Sequence, residues 1–350
     1  VGGALQFSSD AVSYCFIEKY SISLTHRTYV ISPPLGSDQY YYAGVINSFL
    51  SVPGGVGYTD FVLAITTSTD TIIGNLPGTD IIFAKDPCTV DVYVFASVKE
   101  AVVVRDSGVG LQLFAADSSL QYDTDFPPMK VVHKYMNPPL TSGSSVPITG
   151  LPSGKTYAWA TMGSLRANGY VYAPPTIVVN PPSPTPYQYP WGNAVTFPGV
   201  RPVSATAFNL QPVSRGYPSF SWFTPYPPAS VESGANAGGI LTIDVTGLAA
   251  LSKSITISPA TIITTIPPAG HQTSVTVTNT GGAASNTTWS LENESHPGYM
   301  SLQSPTSSGV TFKCSYPSSS APILNASLVC RKIIGGIRRS KSIPITLFRA

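Results

Sequence analysis

The chain has 350 residues, 43% of them hydrophobic, which is enough for two or three domains with their own cores and too many for disorder throughout. Only 10% are charged, against about 25% in an ordinary globular protein, and the formal net charge is +2. With 33 Pro, 30 Gly and 19 Tyr, this composition excludes a helical bundle and a polyelectrolyte, and it describes short strands, many turns and a neutral, aromatic, hydroxyl-rich skin.

The few charges are segregated. Residues 1–125 hold thirteen acids against five Lys/Arg, a net −8, whereas residues 126–231 hold no acid at all. The last twenty residues are again acid-free and carry Arg331, Lys332, Arg338, Arg339, Lys341 and Arg349. An acidic front and a basic rear suit head-to-tail contact between subunits, with chance segregation as the alternative. The basic tail alternates with Ile337, Ile343, Ile345 and Leu347, as in a strand with one wet face, and no aromatic stacking platform accompanies it, which argues against nucleic acid as a partner. No apolar run reaches 18 residues, so no membrane span is expected, and the first residues lack the regions of a signal peptide.

In chain order, Asp91–Ala96 and Ala101–Val104 read as strands buried on both faces. Gly110 to Asp123 reads as a hairpin whose Leu, Phe and Tyr are separated by Ala-Asp-Ser. A first β-rich unit spans 1–180. The Pro-rich stretch from Asn180 to Pro190 then opens a connector and packing segment, 181–250, dense in aromatics and expected to lean on a neighbour. Leu241–Thr246, Ser274–Thr278 and Ile343–Leu347 alternate with period two, and 251–350 has the length of an immunoglobulin-like sandwich of about seven strands. The one weakly helical window is Gly247–Lys253. The expected fold is all-β, with tandem β-sandwich domains joined by a Pro-rich connector.

Two segments carry a resemblance. Gly110-Leu-Gln-Leu-Phe-Ala-Ala-Asp-Ser-Ser-Leu-Gln-Tyr-Asp123, with a fainter echo from Gly3 to Tyr14, resembles a family of tail-module proteins of tailed bacteriophages over about residues 1–135. Asp117-Ser118-Ser119 stands where that family commonly has a Gly turn. Further on, Ser258-Pro-Ala-Thr-Ile, Ser274 to Gly281 and Thr288-Trp-Ser-Leu291 resemble immunoglobulin-like modules of bacterial surface proteins and phage virions. Trp289 precedes both nearby cysteines, which departs from the antibody pattern. The resemblance implies a structural virion component in the phage tail (tip, baseplate or fibre), with other tail proteins and copies of itself as partners, a role in attachment to host-surface glycan, and neither enzyme activity nor cofactor. The alternatives are a secreted or surface adhesin or carbohydrate-binding module, and a capsid-decorating protein.

Trp191, Trp222, Tyr187 and Tyr189 are the candidates for contact with a subunit or a sugar, since aromatics serve both. Cys314 and Cys330 flank a polar stretch, Tyr316 to Asn325, and are expected in neighbouring strands, which makes a bridge geometrically possible, with free buried thiols as the alternative. His296 beside Glu292 and Glu294, and Asp117, Asp123 and Asp125 around the hairpin, lack the spacing of a metal motif, so no metal is expected.

Overall fold

The computed structural model describes residues 13–24, 48–51, 57–75, 81–102, 112–114, 117–118, 120–123, 126–136, 145–162, 167–172, 189–223, 239–266, 270–315 and 323–349. These form an all-β protein of two sandwich units. The first unit contains β1 (Tyr14–Leu24), β2 (Ser48–Ser51), β3 (Phe61–Thr66), β4 (Ile73–Asn75), β5 (Ile81–Ala84), β6 (Cys88–Ser97), β7 (Gln112–Phe114) and β8 (Leu120–Asp123). It continues through β9 (Lys130–Met136), β10 (Val146–Ile148), β11 (Tyr157–Met162), β12 (Ala167–Tyr172), β13 (Tyr189–Ser204), β14 (Ala207–Phe223) and β15 (Gly239–Asp244). One sheet has the order β1-β6-β3-β11-β15-β9, and the other β10-β14-β13-β4-β5-β2 with β12 also on β13.

The apolar run in β6 exists because both of its faces are covered. Val90, Val92 and Val94 face the second sheet, packing with Ile73, Ile82, Val200 and Phe208. Tyr93 and Phe95 point the other way, to Phe16, Ala64, Ala158, Ala160 and Ile243. The first sheet curls until its edges meet at one corner, where the Phe16 N–H donates to Pro127 O and the Met129 N–H to Tyr14 O, both at 2.8 Å. With the second sheet packed outside, the Phe16–Phe95 cluster fills the inside of the curl. The alanines make room there for the rings of Phe16 and Phe95, whose centroids lie 5.8 Å apart.

The described part of 181–250 is hydrogen-bonded into this unit rather than standing between two units. The long β13–β14 hairpin is the spine of the second sheet, and β15 lies inside the first between β11 and β9. Ala101 ends a one-turn helix, α1 (Val98–Ala101), instead of opening a strand, and Val102 makes an isolated bridge. The Gly247–Lys253 window holds a 3₁₀ turn, Leu248–Leu251. The expected hairpin forms as β7 and β8, pairing Gln112 with Asp123 and Leu113 with Tyr122, and Ser118 takes a left-handed φ of 64° in its turn.

The second unit contains β16 (Ile255–Ser258), β17 (Ile262–Ile266), β18 (His271–Asn279), β19 (Ala284–Glu292), β20 (Met300–Gln303), β21 (Gly309–Cys314), β22 (Ile323–Ile334) and β23 (Ile337–Arg349). Its sheets run β16-β18-β21-β20 and β17-β23-β22-β19, with β17 parallel to β23. That is the ABED/CFG arrangement of immunoglobulin domains, the first strand being split between the sheets. Trp289 sits on the C strand directly opposite Cys330 on the F strand, and Val275 and Val277 occupy the B strand, so the antibody Trp is present without its bridge. Cys314 and Cys330 are both free and buried, one in each sheet of the sandwich. At the turn after β18, a Cβ on Gly281 (φ 83°) would stand 2.4 Å from Ser252 O, so only glycine fits.

The two units meet through β1 and the tip of the β22–β23 hairpin. A bulge in β1 between Phe16 and Glu18 inserts Ile17, so Glu18 stands opposite Val94 rather than on the face of Phe16. Arg339, 2% exposed, reaches this side and donates to Glu18 Oε1; its Nη1 donates to the Tyr58 hydroxyl at 3.3 Å. Tyr58 in turn donates to Arg338 O, Ile337 is buried in the first unit's core, and the Lys253 N–H donates to Ile17 O at 2.9 Å. The basic tail does not keep its charges on one wet face: Arg339 shares the side of Ile337 and Ile343, and it is buried because β23 extends past its own sandwich into the neighbouring unit.

Burial pushes the Tyr58 hydroxyl up to about 12 despite the opposing Arg339 charge, and burial pushes the Cys15 thiol up to about 12 despite Lys253. Both shifts favour the neutral form. The stability they contribute is complete below the unfolded values of 10.0 and 9.0, and it is lost as pH rises through the folded values. A melting midpoint that is flat from about pH 7 to 9 and falls toward pH 12 is expected. Tyr58→Phe should flatten the part of that fall above about pH 10; an unchanged slope would remove Tyr58 from this role.

Candidate functional site

A cleft of about 650 Å³ opens in the first unit where three distant segments converge: the end of β3 with the loop after it, the start of β11, and the turn between β13 and β14. This volume lies in the range of small-molecule sites. Its walls are rich in hydroxyls, from Thr66, Thr67, Ser68, Thr69, Thr156 and Ser204.

The loop is held from within. The Thr67 hydroxyl donates to Thr89 O at 2.8 Å and accepts from the Thr69 N–H, while the Thr71 hydroxyl donates to Asp86 Oδ2 at 2.8 Å. Asp70 and Arg201 then span the rim as a bidentate pair, Nε to Oδ1 and Nη2 to Oδ2, each 2.7 Å. The Arg201 hydrogen bonds hold the Asp70 carboxyl below the usual carboxylate range.

The inner wall comes from alternation in β11. Ala158 and Ala160 enter the curl of the first sheet, so Tyr157 and Trp159 take the other face. The Tyr157 hydroxyl donates to Pro152 O at 2.8 Å. Trp159 is buried against Phe208, with ring centroids 5.3 Å apart, and its indole N–H has no acceptor among the described residues. Lys155 lies at the mouth. Its Nζ is 3.8 Å from Asp244 Oδ2, and Lys130 Nζ is 3.2 Å from the same oxygen. Burial raises the Asp244 carboxyl, but hydrogen bonds from Thr246 and Lys130 and the Lys155 charge outweigh it and leave the group lowered.

The residues expected from sequence lie elsewhere. Tyr187 is outside the described residues. Tyr189 and Trp191 begin β13, and Trp222 lies near the end of β14, opposite Pro190, while Trp191 stands opposite Ser221. Trp191 is ten residues before Arg201, about 30 Å of strand away from the cleft. Glu292 binds Arg331 at 2.5 Å, whereas His296 meets the Ser295 hydroxyl at 3.1 Å, so Glu292 and the histidine have separate partners, and Glu294 Oε2 has none among the described residues. Asp117 pairs loosely with Lys99 at 3.5 Å, Asp123 is buried and accepts from Gln112 at 2.7 Å, and Asp125 lies outside the described residues. Among the described residues no three His, Cys, Asp or Glu side chains converge on a metal position, and no helix is long and apolar enough to cross a membrane.

No protein-family model, curated protein or solved structure matches this chain.

Proposed function

We propose that this chain is a structural subunit of a tailed-phage particle, placed in the tail tip, baseplate or fibre, and that it contributes to attachment at the host's glycan surface. The observation that carries the reading is how the scarce charge is used. Arg339 and Glu18 are spent inside the chain, while large apolar side chains remain outside on both units. Val131, Val132 and Met136 are exposed on β9, an edge strand of the first sheet. Ile263, Ile323 and Phe348 are exposed on the outer face of the β17-β23-β22 sheet, where Ile323 pairs with Phe348. Surfaces of this kind are covered by neighbours in an assembly. The β7–β8 hairpin and the immunoglobulin-like unit add support through the resemblance they carry. Antibody labelling of purified particles tests the reading: label on the tail is expected. Label on the capsid would favour decoration, and absence from particles with secretion as a monomer would favour an adhesin; either would overturn the tail assignment.

A further inference from the structure

Deepening the attachment reading above, we propose that the cleft between Asp70, Lys155 and Arg201 is a saccharide site selective for a carboxylated sugar. Three requirements of such a ligand are met by named groups.

Ring hydroxyls need fixed donors and acceptors, and the Asp70–Arg201 pair supplies both. The bidentate contact uses Nε and Nη2 of the guanidinium. Nη1 and a second lone pair on each carboxylate oxygen remain for a ligand. Because each member of the pair orients the other, the groups are positioned before any sugar arrives, which lowers the ordering cost of binding. The hydroxyls of the Thr66–Thr69 stretch extend this polar wall.

A sugar also has an apolar C–H face. Val203, at the tip of the β13–β14 hairpin, is 60% exposed and lines the cleft with Pro202 and Leu151. An exposed valine at a hairpin tip gains nothing from the fold, and it gains burial when a ring lies over it.

Charge then selects within the class. Asp70 and Arg201 neutralise each other, whereas two lysines, Lys130 and Lys155, share the single carboxylate of Asp244. One positive charge is left over on the Asp244 side of the mouth, away from the Arg201 side where Asp86 adds a negative one, and Lys155, the farther of the two from Asp244, is the one that lines the cleft. A ring bearing a carboxylate places its charge there.

The test is calorimetric titration of the full chain with methyl glucuronide and, in parallel, methyl glucoside. The glucuronide is expected to bind at least about tenfold tighter at low salt, as one charge-assisted contact allows, and the advantage should shrink in high salt. Lys155→Gln should bring the two sugars to within about threefold, and Asp70→Asn should weaken both by about tenfold or more. Both positions are exposed, and an unchanged melting midpoint certifies that each variant is folded. Equal affinity for the two sugars, no binding of either, or a preference that survives Lys155→Gln would overturn the proposal. Full competition by acetate would overturn it too, by marking an anion contact with no sugar specificity. A chain that labels the tail yet binds neither sugar sinks this inference and spares the structural reading. A chain absent from particles that still prefers the glucuronide does the reverse.

Discussion

Arg339→Met is expected to lower stability by about 3–5 kcal/mol, the cost of leaving one member of a buried ion pair alone. The group that loses its hydrogen-bonded partner is Glu18, 8% exposed, which β1's bulge has turned toward the second unit and away from water, with the half-buried Lys341 left as the nearby charge. Tyr58 loses a donor at the same time. Because this cluster sits where the units meet, urea unfolding followed by circular dichroism and tryptophan fluorescence should change from one transition to two. The converse variant separates charge from packing. Glu18→Leu combined with Arg339→Met should recover most of the loss, since an apolar pair of similar volume avoids the desolvation penalty. A cost below about 1 kcal/mol for Arg339→Met alone would mean that the pair is hydrated, and the joint would then rest on Ile337.

Phe95→Ala carries a loss of comparable size, about 3–5 kcal/mol, for a different reason. Phe95 is fully buried inside the curl of the first sheet, on the side away from the second sheet. Its neighbours there include Ala64, Ala158 and Ala160, which cannot swing into the space it leaves. Relaxation is therefore small and most of the cavity persists. Phe95→Leu, which keeps most of the volume, should cost clearly less, and equilibrium denaturation of the two variants measures the difference. Equal losses would show that ring geometry against Phe16, not filled volume, sets the energy.

Much of the fold is legible in the chain. The unbroken apolar stretch at 92–96 requires cover on both faces, and the structure provides two separate cores for it. The Leu-Phe and Leu-Tyr halves around 115–119 make the hairpin, and period-two alternation marks most strands of the second unit. The long hairpin was obscured by Pro190, Pro198, Pro202, Pro212 and Pro218, which argue against interior strands, yet all five lie within β13 or β14. Alternation assigned Arg339 a side but could not say what covers it. That depends on how far β23 outruns its own sandwich, which is a long-range property.

The cleft was invisible for the same reason. Its walls come from residues near 70, 155 and 203, and only sheet topology brings them together. One local signal was available. In Tyr157-Ala-Trp-Ala160 large and small side chains alternate strictly, a sign that one face meets a tight interior and the other a roomier boundary. The aromatics that stand out in the Pro-rich segment, Trp191 and Trp222, belong to the opposite end of the hairpin.

In an antibody variable domain the B–C and F–G loops are the free end, where foreign shapes are met. Here the corresponding turns, at Gly281 and Gly335, are folded inward, with Gly281 against Ser252 and the β22–β23 tip sunk into the first unit. The module has exchanged its hand for an anchor. Whatever it presents to the outside must come from its flank or its far pole, and diversity in this protein should accumulate there while the inward tip stays fixed.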